Sequence, residues 1–248
     1  MRRTASAAPT GESIHTYDVC SLSWIRRRDG LIVVMNRDER RDRAPARPPR
    51  RWHGADGGFT APVDGDAGGT WIAAKDSGVV LALLNHQAPD DSGLVRRVGE
   101  GRRISRGLLV TTLAAEAGIP DAARLRAAGL AAFAPFRLFV AGLSVPPRVF
   151  TWNGLVLRAR QLDPRLGFLT SSSWNPGAVI PSRHARFRAF ARRHPKPTRA
   201  DLLTFHAQAD DPRGTPWAIC MARDDARTVS TTVVDVGPSG AAMRYRAV

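Results

Sequence analysis

Four residues in the first 85 positions of the chain have types that suit the chemistry of a reactive cysteine. Cys20 begins the first patterned segment, Arg37 and Asp38 lie in an Asn-Arg-Asp-Glu run, and Asn85 ends a later apolar run. Cysteine attacks as its thiolate, so it needs a nearby cation or base. Arg37 could supply the positive charge, and no histidine partner is obvious. A free α-amino group, whose pKa is ordinarily about 7.7–8.0, is the other candidate base, and it requires Cys20 to begin the mature chain.

Several other chemistries lack their sequence signatures. The chain has no phosphate-binding Gly-x-x-x-x-Gly-Lys loop, no Gly-x-Gly-x-x-Gly dinucleotide turn and no Gly-x-Ser-x-Gly nucleophile elbow. Its six histidines are scattered and form no metal-binding pair. We therefore expect no cofactor and no metal. Cys220 lies in an apolar run, which favours an inert core position over a partnership with Cys20.

Two predicted hairpins deliver these polar residues to strand ends. Alternation from Cys20, a turn at Asp29-Gly30 and an apolar run over 31–35 predict a hairpin that ends at the Asn-Arg-Asp-Glu run. A polar, proline-rich loop is predicted from there to about Pro62. A second hairpin, with strands over 70–74 and 79–84, ends at Asn85. Asn85 could equally be a turn residue after a strand, and Arg37 with Asp38 could form only a local salt bridge.

The remaining pattern predicts helices and strands in separate blocks. Ser105 is a predicted helix N-cap, and Thr198 caps a later helix. Further strands are predicted over 137–143, 148–152, 155–162, 168–172, 217–222, 228–236 and 243–248, and a further helix over 180–193. This order, with hairpin-linked strands, indicates antiparallel sheets rather than alternating β-α-β units.

Composition excludes some functions and favours others. The formal net charge is +15, but only two of the 37 basic residues are lysine and the rest are arginine, a bias typical of GC-rich genomes. Basic patches with interleaved aromatics are missing, so we expect no nucleic-acid partner. No apolar run is long enough for a membrane span. Two cysteines suit a reducing compartment, and a cytoplasmic location is expected.

The first 18 residues carry no structural pattern and no secretory signal. They are expected to be a disordered tail or translated upstream sequence, with one domain over residues 19–248. Initiation at Val19, whose GTG codon is a common alternative start, would place Cys20 directly after a removable methionine. Autocatalytic removal of a propeptide would have the same result.

Seven segments, which cover essentially residues 19–248, together resemble the NRDE family, also called the transport and Golgi organisation protein 2 family. They are Cys20-Ser-Leu, Asn36-Arg37-Asp38-Glu39, Gly68-Gly69-Thr70-Trp71-Ile72, Leu84-Asn85, Ser105-Arg106-Gly107, Leu169-Thr170-Ser171-Ser172 and the run over 227–232. That family resembles N-terminal-nucleophile hydrolases. The resemblance implies an α+β fold, a four-layer αββα sandwich of two antiparallel sheets between helices.

The resemblance also implies roles for individual residues. Cys20 would be the nucleophile and its own amine the base, with Arg37 favouring the thiolate and Asp38 orienting the amine. Asn85 would donate to the oxyanion. Two further roles are carried over less directly: Ser171 stands where related acylases have an oxyanion asparagine, with Asn175 nearby, and Arg227 would be a late pocket arginine or a solvated strand edge. Gly68 and Gly69 are expected in a tight turn.

The resemblance favours a cysteine amidohydrolase that cleaves a non-peptide amide bond in a small-molecule substrate. The alternative is a non-catalytic ligand-binding, trafficking or homeostasis protein that uses the same pocket, because a fold does not guarantee an activity. A basic nucleic-acid-associated protein is a third and weaker reading, and it would require binding that falls steeply with salt.

Overall fold

The computed structural model describes residues 20–86 and 104–248, and expectations about residues 1–19 and 87–103 lie outside this part. Within it, the strands are β1 (Cys20–Arg27), β2 (Gly30–Arg40), β3 (Arg47–Gly54), β4 (Gly57–Val63), β5 (Ile72–Lys75), β6 (Val79–Asn85), β7 (Phe136–Gly142), β8 (Arg148–Trp152), β9 (Leu157–Gln161), β10 (Leu166–Thr170), β11 (Ala226–Gly237) and β12 (Gly240–Ala247). The helices are α1 (Arg106–Ala115), α2 (Ala122–Ala127), α3 (Pro176–Arg193) and α4 (Arg199–His206).

The strands form two antiparallel sheets. One has five strands in the order β10-β1-β2-β11-β12, and the other has seven in the order β3-β4-β5-β6-β7-β8-β9. One apolar cluster, with Leu22, Trp24, Met35 and Phe139, lies between the two sheets. A second packs α1 and α2 on the seven-stranded sheet, and a third packs α3 and α4 on the five-stranded sheet. The predicted α+β, four-layer αββα fold is therefore confirmed.

Local capping explains where the helices begin. The Ser105 side chain accepts a hydrogen bond from the Gly107 N–H at the start of α1, as its sequence position predicts. Thr198 and Asp201 form a reciprocal capping box at α4. None of the helices in the described ranges has the length and apolar character needed to cross a bilayer.

The predicted proline-rich loop up to Pro62 is wrong, because β3 and β4 lie within it. Strand β3 is at the edge of its sheet, where Pro48 and Pro49 fall inside a register shift between Arg47 and Arg50. An edge position with a bulge tolerates residues that lack an N–H donor. The prolines and glycines hide both strands from the sequence pattern, although most of β4 is buried, including Phe59 and Ala61.

The strand predicted over 217–222 is also wrong. A 3₁₀ turn covers Thr215–Trp217, and the residues after it are irregular. Side chains satisfy this backbone: Arg183 donates to the carbonyl of Ala218 and Asn36 donates to that of Ile219. The apolar residues Ile219 and Met221 are buried without a strand, and Cys220 is only partly buried.

Two neighbouring glycines shape the loop before β5: Gly69 allows it to touch the start of α1, and Gly68 allows its tight turn. A Cβ on Gly69 would lie 2.3 Å from the Gly107 carbonyl carbon, closer than any real contact. Gly69 is therefore required by this close approach, whereas Gly68 has a φ of +70° and occupies the predicted tight turn.

We expect Gly69→Ala to destabilise the fold by about 1–3 kcal/mol, because two backbone segments must separate to admit the methyl group. Urea denaturation would measure the loss. Gly177→Ala is the matched control, since its Cβ meets nothing within 4 Å and its φ is not positive. Equal stability of the two variants would contradict this account of Gly69.

Candidate active site

The pairing of β1 with β2 brings the predicted nucleophile and the Asn-Arg-Asp-Glu run together. Cys20 is the register partner of Arg37. Because side chains alternate along a strand, Cys20, Leu22 and Trp24 join the cluster between the sheets, while Ser21 and Ser23 face the helices. The first strand therefore presents Cys20 between the two sheets and its serines to the helices.

One cavity of about 100 Å³ collects most of the predicted site. Cys20, Arg37 and Asp38 contribute from the five-stranded sheet, and Asn85 contributes from the end of β6 in the other. The other lining residues are Glu39, Arg43, Asp64, Thr70, Trp71, Leu83, Ser105, Arg106 and Gly107. Tertiary packing thus brings together four sequence-predicted residues that are up to 65 positions apart.

Arg37 lines the cavity and belongs to a network of charged side chains. Its guanidinium donates to Glu39 at 2.8 Å and to Asp64 at 2.5 Å, and its carbon lies 4.2 Å from the centre of the Trp71 ring. Arg43 also donates to Asp64. Glu39 and Asp64 are therefore shared between Arg37 and Arg43, and this network fixes the Arg37 side chain at the cavity. The sequence does not single out Asp64, because it directly follows β4, a strand that the sequence pattern predicts as loop.

Asp38 is buried on the side of β2 that faces α3. Its Oδ1 accepts a 2.6 Å hydrogen bond from the Thr228 hydroxyl, and its Oδ2 lies 3.8 Å from a nitrogen of Arg183. The Thr228 hydroxyl also accepts from the backbone N–H of Met221. Asp38 is thus fixed from β11 and from α3 at once.

Ser171 forms hydrogen bonds with the backbone of Cys20, the predicted nucleophile. The Cys20 N–H donates to Ser171 Oγ at 3.0 Å, and the Ser171 N–H donates to the Cys20 carbonyl at 2.9 Å. Thr170 donates a further bond to that carbonyl. Ser171 is not among the residues that line the cavity. Its geometry therefore suits orientation of the Cys20 nitrogen.

Arg227 is exposed on β11, opposite Glu39 in register, and does not line the cavity. Besides Arg37, a second arginine in this region is buried: Arg183 of α3, which donates to the Ser21 hydroxyl at 3.3 Å. The α3 sequence contains several arginines, and only the packing of the structure distinguishes Arg183 from the others. Burial raises the pKa of the Cys220 thiol, so Cys220 is a weaker nucleophile than an ordinary cysteine at neutral pH.

Asn36 and His206 secure the other face of the five-stranded sheet. The Asn36 amide donates to the carbonyls of His206 and Ile219, and its oxygen accepts from Thr231. The buried His206 ring contacts the Ser23 hydroxyl at 2.8 Å. These bonds anchor the segment after α4 against β1 and β2, beneath the cavity.

Burial lowers the pKa of His206 from 6.5 to about 3, so acid favours the unfolded chain. The stability that neutral His206 provides is complete above pH 6.5 and is lost as the pH falls from 6.5 towards 3. We expect wild type to lose about 2 kcal/mol more than His206→Gln by about pH 5. Urea midpoints against pH would test this, with the exposed His53→Gln as control. Parallel curves for wild type and His206→Gln would refute it.

In residues 20–86 and 104–248, no group of three or more histidine, cysteine, aspartate or glutamate side chains could hold a metal ion. The groups that line the cavity include a thiol, carboxylates, guanidinium groups and a side-chain amide.

Comparison with family models identifies the chain. A model described as Transport and Golgi organisation 2 matches residues 22–204, about three quarters of the sequence. The chain belongs to the Transport and Golgi organisation 2 family. The resemblance inferred from the motifs is thereby confirmed.

This member of the Transport and Golgi organisation 2 family shares its fold with a solved structure. It is similar to a Caenorhabditis elegans N-acylethanolamine-hydrolyzing acid amidase ortholog, with a TM-score of 0.52, 13% identity and coverage of 86% of this chain and 91% of that chain. Penicillin V acylase from Agrobacterium tumefaciens matches with a TM-score of 0.47, 11% identity and coverage of 92% and 86%. A search of the curated proteins finds no significant match.

Proposed function

We propose that this protein is a cysteine amidohydrolase of the N-terminal-nucleophile type, acting on a non-peptide amide bond of a small molecule. The observation that supports this most is the grouping of Cys20, Arg37, Asp38 and Asn85 around one cavity. The fold that it shares with the amidase ortholog is compatible with the same reaction class.

The mature chain in this proposal begins at Cys20. Its backbone nitrogen then becomes an α-amine, whose ordinary pKa of about 7.7–8.0 suits a general base near neutral pH. The Ser171 hydroxyl lies 3.0 Å from that nitrogen and can hold one of its protons in an accepted hydrogen bond. The lone pair of the amine is then left for the thiol proton.

Acylation forms a carbon–sulfur bond and breaks the amide bond. The Cys20 sulfur attacks the amide carbonyl carbon, and the thiol proton passes to the α-amine. The Asn85 side-chain amide and a backbone N–H stabilise the oxyanion. When the tetrahedral intermediate collapses, the carbon–nitrogen bond breaks and the α-amine returns the proton to the leaving nitrogen.

Hydrolysis then regenerates the enzyme. Water attacks the thioester carbon and gives a proton to the α-amine. The carbon–sulfur bond breaks, the acid is released, and the proton returns to the Cys20 sulfur. The net reaction is amide plus water to acid plus amine, with no further reactant.

The decisive experiment uses a chain that begins at Cys20, with its start verified by intact mass. It is incubated with N-acyl amides of aminomethylcoumarin that carry short and long acyl chains. We expect fluorophore release and a transient mass increase, equal to the acyl group, that peptide mapping assigns to Cys20. Cys220→Ala should show both signals, and Cys20→Ala should show neither.

Binding of the same probes without release or adduct, unchanged in Cys20→Ala, would reject the enzyme. It would support the alternative, a ligand-binding protein that uses the same cavity. The cytoplasmic location and the absence of a nucleic-acid partner remain predictions.

A further inference from the structure

A second cavity, of about 390 Å³, lies between α4 and the last two strands. Arg199, Leu203 and Ala207 line it from the helix, and residues of β11 and β12 line it from the sheet, so we refer to it as the α4 cavity. None of its described lining residues also lines the cavity that contains Cys20. The proposed reaction therefore gives the α4 cavity no role, and its own residues must indicate what it binds.

One face of α4 and one residue of β11 give this cavity an apolar floor. Arg199, Leu203 and Ala207 are spaced four residues apart, which places them one above another on the helix and its C-cap. Leu203 is half-buried and packs against the apolar cluster that contains the buried Val233 of β11. Leu203 and Val233 therefore offer an apolar surface inside the cavity.

The last strand gives the opposite side of the cavity its charge. Arg244 and Arg246 are two residues apart on the edge strand β12, so both side chains lie on the same face of the sheet. Their register partners on β11 are Val233 and Thr231. Because Val233 belongs to the cluster that packs against α4, this face is the one that α4 covers. The two arginines therefore lie beside the apolar floor.

Positive charge exceeds negative charge around the α4 cavity. Arg199 and Arg244 both pair with one carboxylate, that of Asp235 on β11. The exposed Arg246 forms no ion pair with any residue in the described ranges. Three guanidinium groups thus share one carboxylate partner, and a cleft lined mainly by one sign of charge concentrates ions of the opposite sign. These charges favour an anionic ligand.

We propose that the α4 cavity binds an amphipathic organic anion, with its carboxylate at Arg246 and its apolar part on Leu203 and Val233. A guanidinium presents paired N–H donors that match the two oxygens of a carboxylate. Arg246 can form this pair without breaking an existing one, whereas Asp235 already holds the other two arginines. A small inorganic anion would leave the apolar floor in water, and a neutral hydrocarbon would leave Arg246 unpaired. This inference does not depend on the proposed amidase activity.

Isothermal titration calorimetry with octanoate, octanol and acetate tests both halves of the proposed ligand. Octanoate carries the chain and the carboxylate, octanol carries only the chain, and acetate carries only the carboxylate. We expect octanoate to bind at least about tenfold more tightly than either, because each of them lacks one of the two contributions. Equal affinity of octanoate and octanol, equal affinity of octanoate and acetate, or no measurable octanoate binding would overturn the proposal.

Two substitutions test whether octanoate binds in the α4 cavity. Arg246→Gln removes the carboxylate's partner and should weaken octanoate binding at least about tenfold, while Arg188→Gln, at an exposed arginine of α3, should bind as wild type does. Ala207→Glu places bulk and negative charge in the cavity and should abolish binding, while Ala185→Glu, at an exposed alanine of α3, should not. All four positions are exposed, so the fold should be retained. Wild-type affinity in either Arg246→Gln or Ala207→Glu would overturn the proposal.

The same titration on Cys20→Ala separates this inference from the proposed reaction. We expect unchanged octanoate affinity, since the two cavities share no described lining residue. Loss of binding in Cys20→Ala would place octanoate in the candidate active site and overturn the inference. A chain that cleaves no amide but shows Arg246-dependent octanoate binding would lose the amidase and retain the α4 cavity as a binding site.

Discussion

A chain that begins Gly-Cys20 is expected to hydrolyse the coumarin amides about 10²–10⁴-fold more slowly than a chain that begins at Cys20, the range typical for loss of a general base. The added glycine converts the Cys20 amine into a peptide nitrogen, which has no basic lone pair. The bond from that nitrogen to Ser171 Oγ, 3.0 Å long, is compatible with either state, so the fold should not change.

Intact mass and release rates of the two chains would measure this effect. Iodoacetamide labelling of Cys20 in both is the control, because it reports whether the thiol is still present and accessible. Equal turnover in the two chains would show that another group accepts the thiol proton. The mechanism based on an N-terminal amine would then be abandoned, even with Cys20 still the nucleophile.

Asn85→Ala is expected to lower kcat about 10²–10³-fold with little change in KM, since it removes a donor that acts on the transition state. The residue ends β6 and lines the same cavity as Cys20, from the opposite sheet. Asn85→Asp preserves its size and removes the donor, so it should lose a similar factor. Steady-state kinetics on the coumarin amides would measure both.

Asn175→Gly provides the comparison for this prediction. Asn175 was the other asparagine near the proposed oxyanion, and it lies exposed before α3 with a left-handed φ of 41°, which glycine adopts freely. We expect its kcat to stay near wild type. A large loss in Asn175→Gly with normal kcat in Asn85→Ala would transfer the oxyanion role to Asn175.

Short-range signals allowed the frame of the site to be predicted. The alternation after Cys20, the Asp29-Gly30 turn and the apolar run before the Asn-Arg-Asp-Glu segment determine a hairpin through neighbouring residues. The same signals gave wrong predictions in two segments. Prolines at an edge strand concealed β3, and an apolar run over 217–222 imitated a strand while its carbonyls bond to Arg183 and Asn36.

By itself, the sequence determined the family, the layered α+β class and the placement of Cys20, Arg37, Asp38 and Asn85 on the strands of two hairpins. These depend on periodicity, turn residues and motif spacing, which are properties of nearby residues. Only the tertiary structure decided which charged groups and hydrogen-bonding groups from distant segments meet. Asp64 reaches Arg37 across 27 positions, Ser171 reaches the Cys20 nitrogen across 151, and Arg183 reaches Ser21 across 162. Such contacts form only when separate elements pack, because burial forces each charge or donor to find its partner wherever the fold brings one.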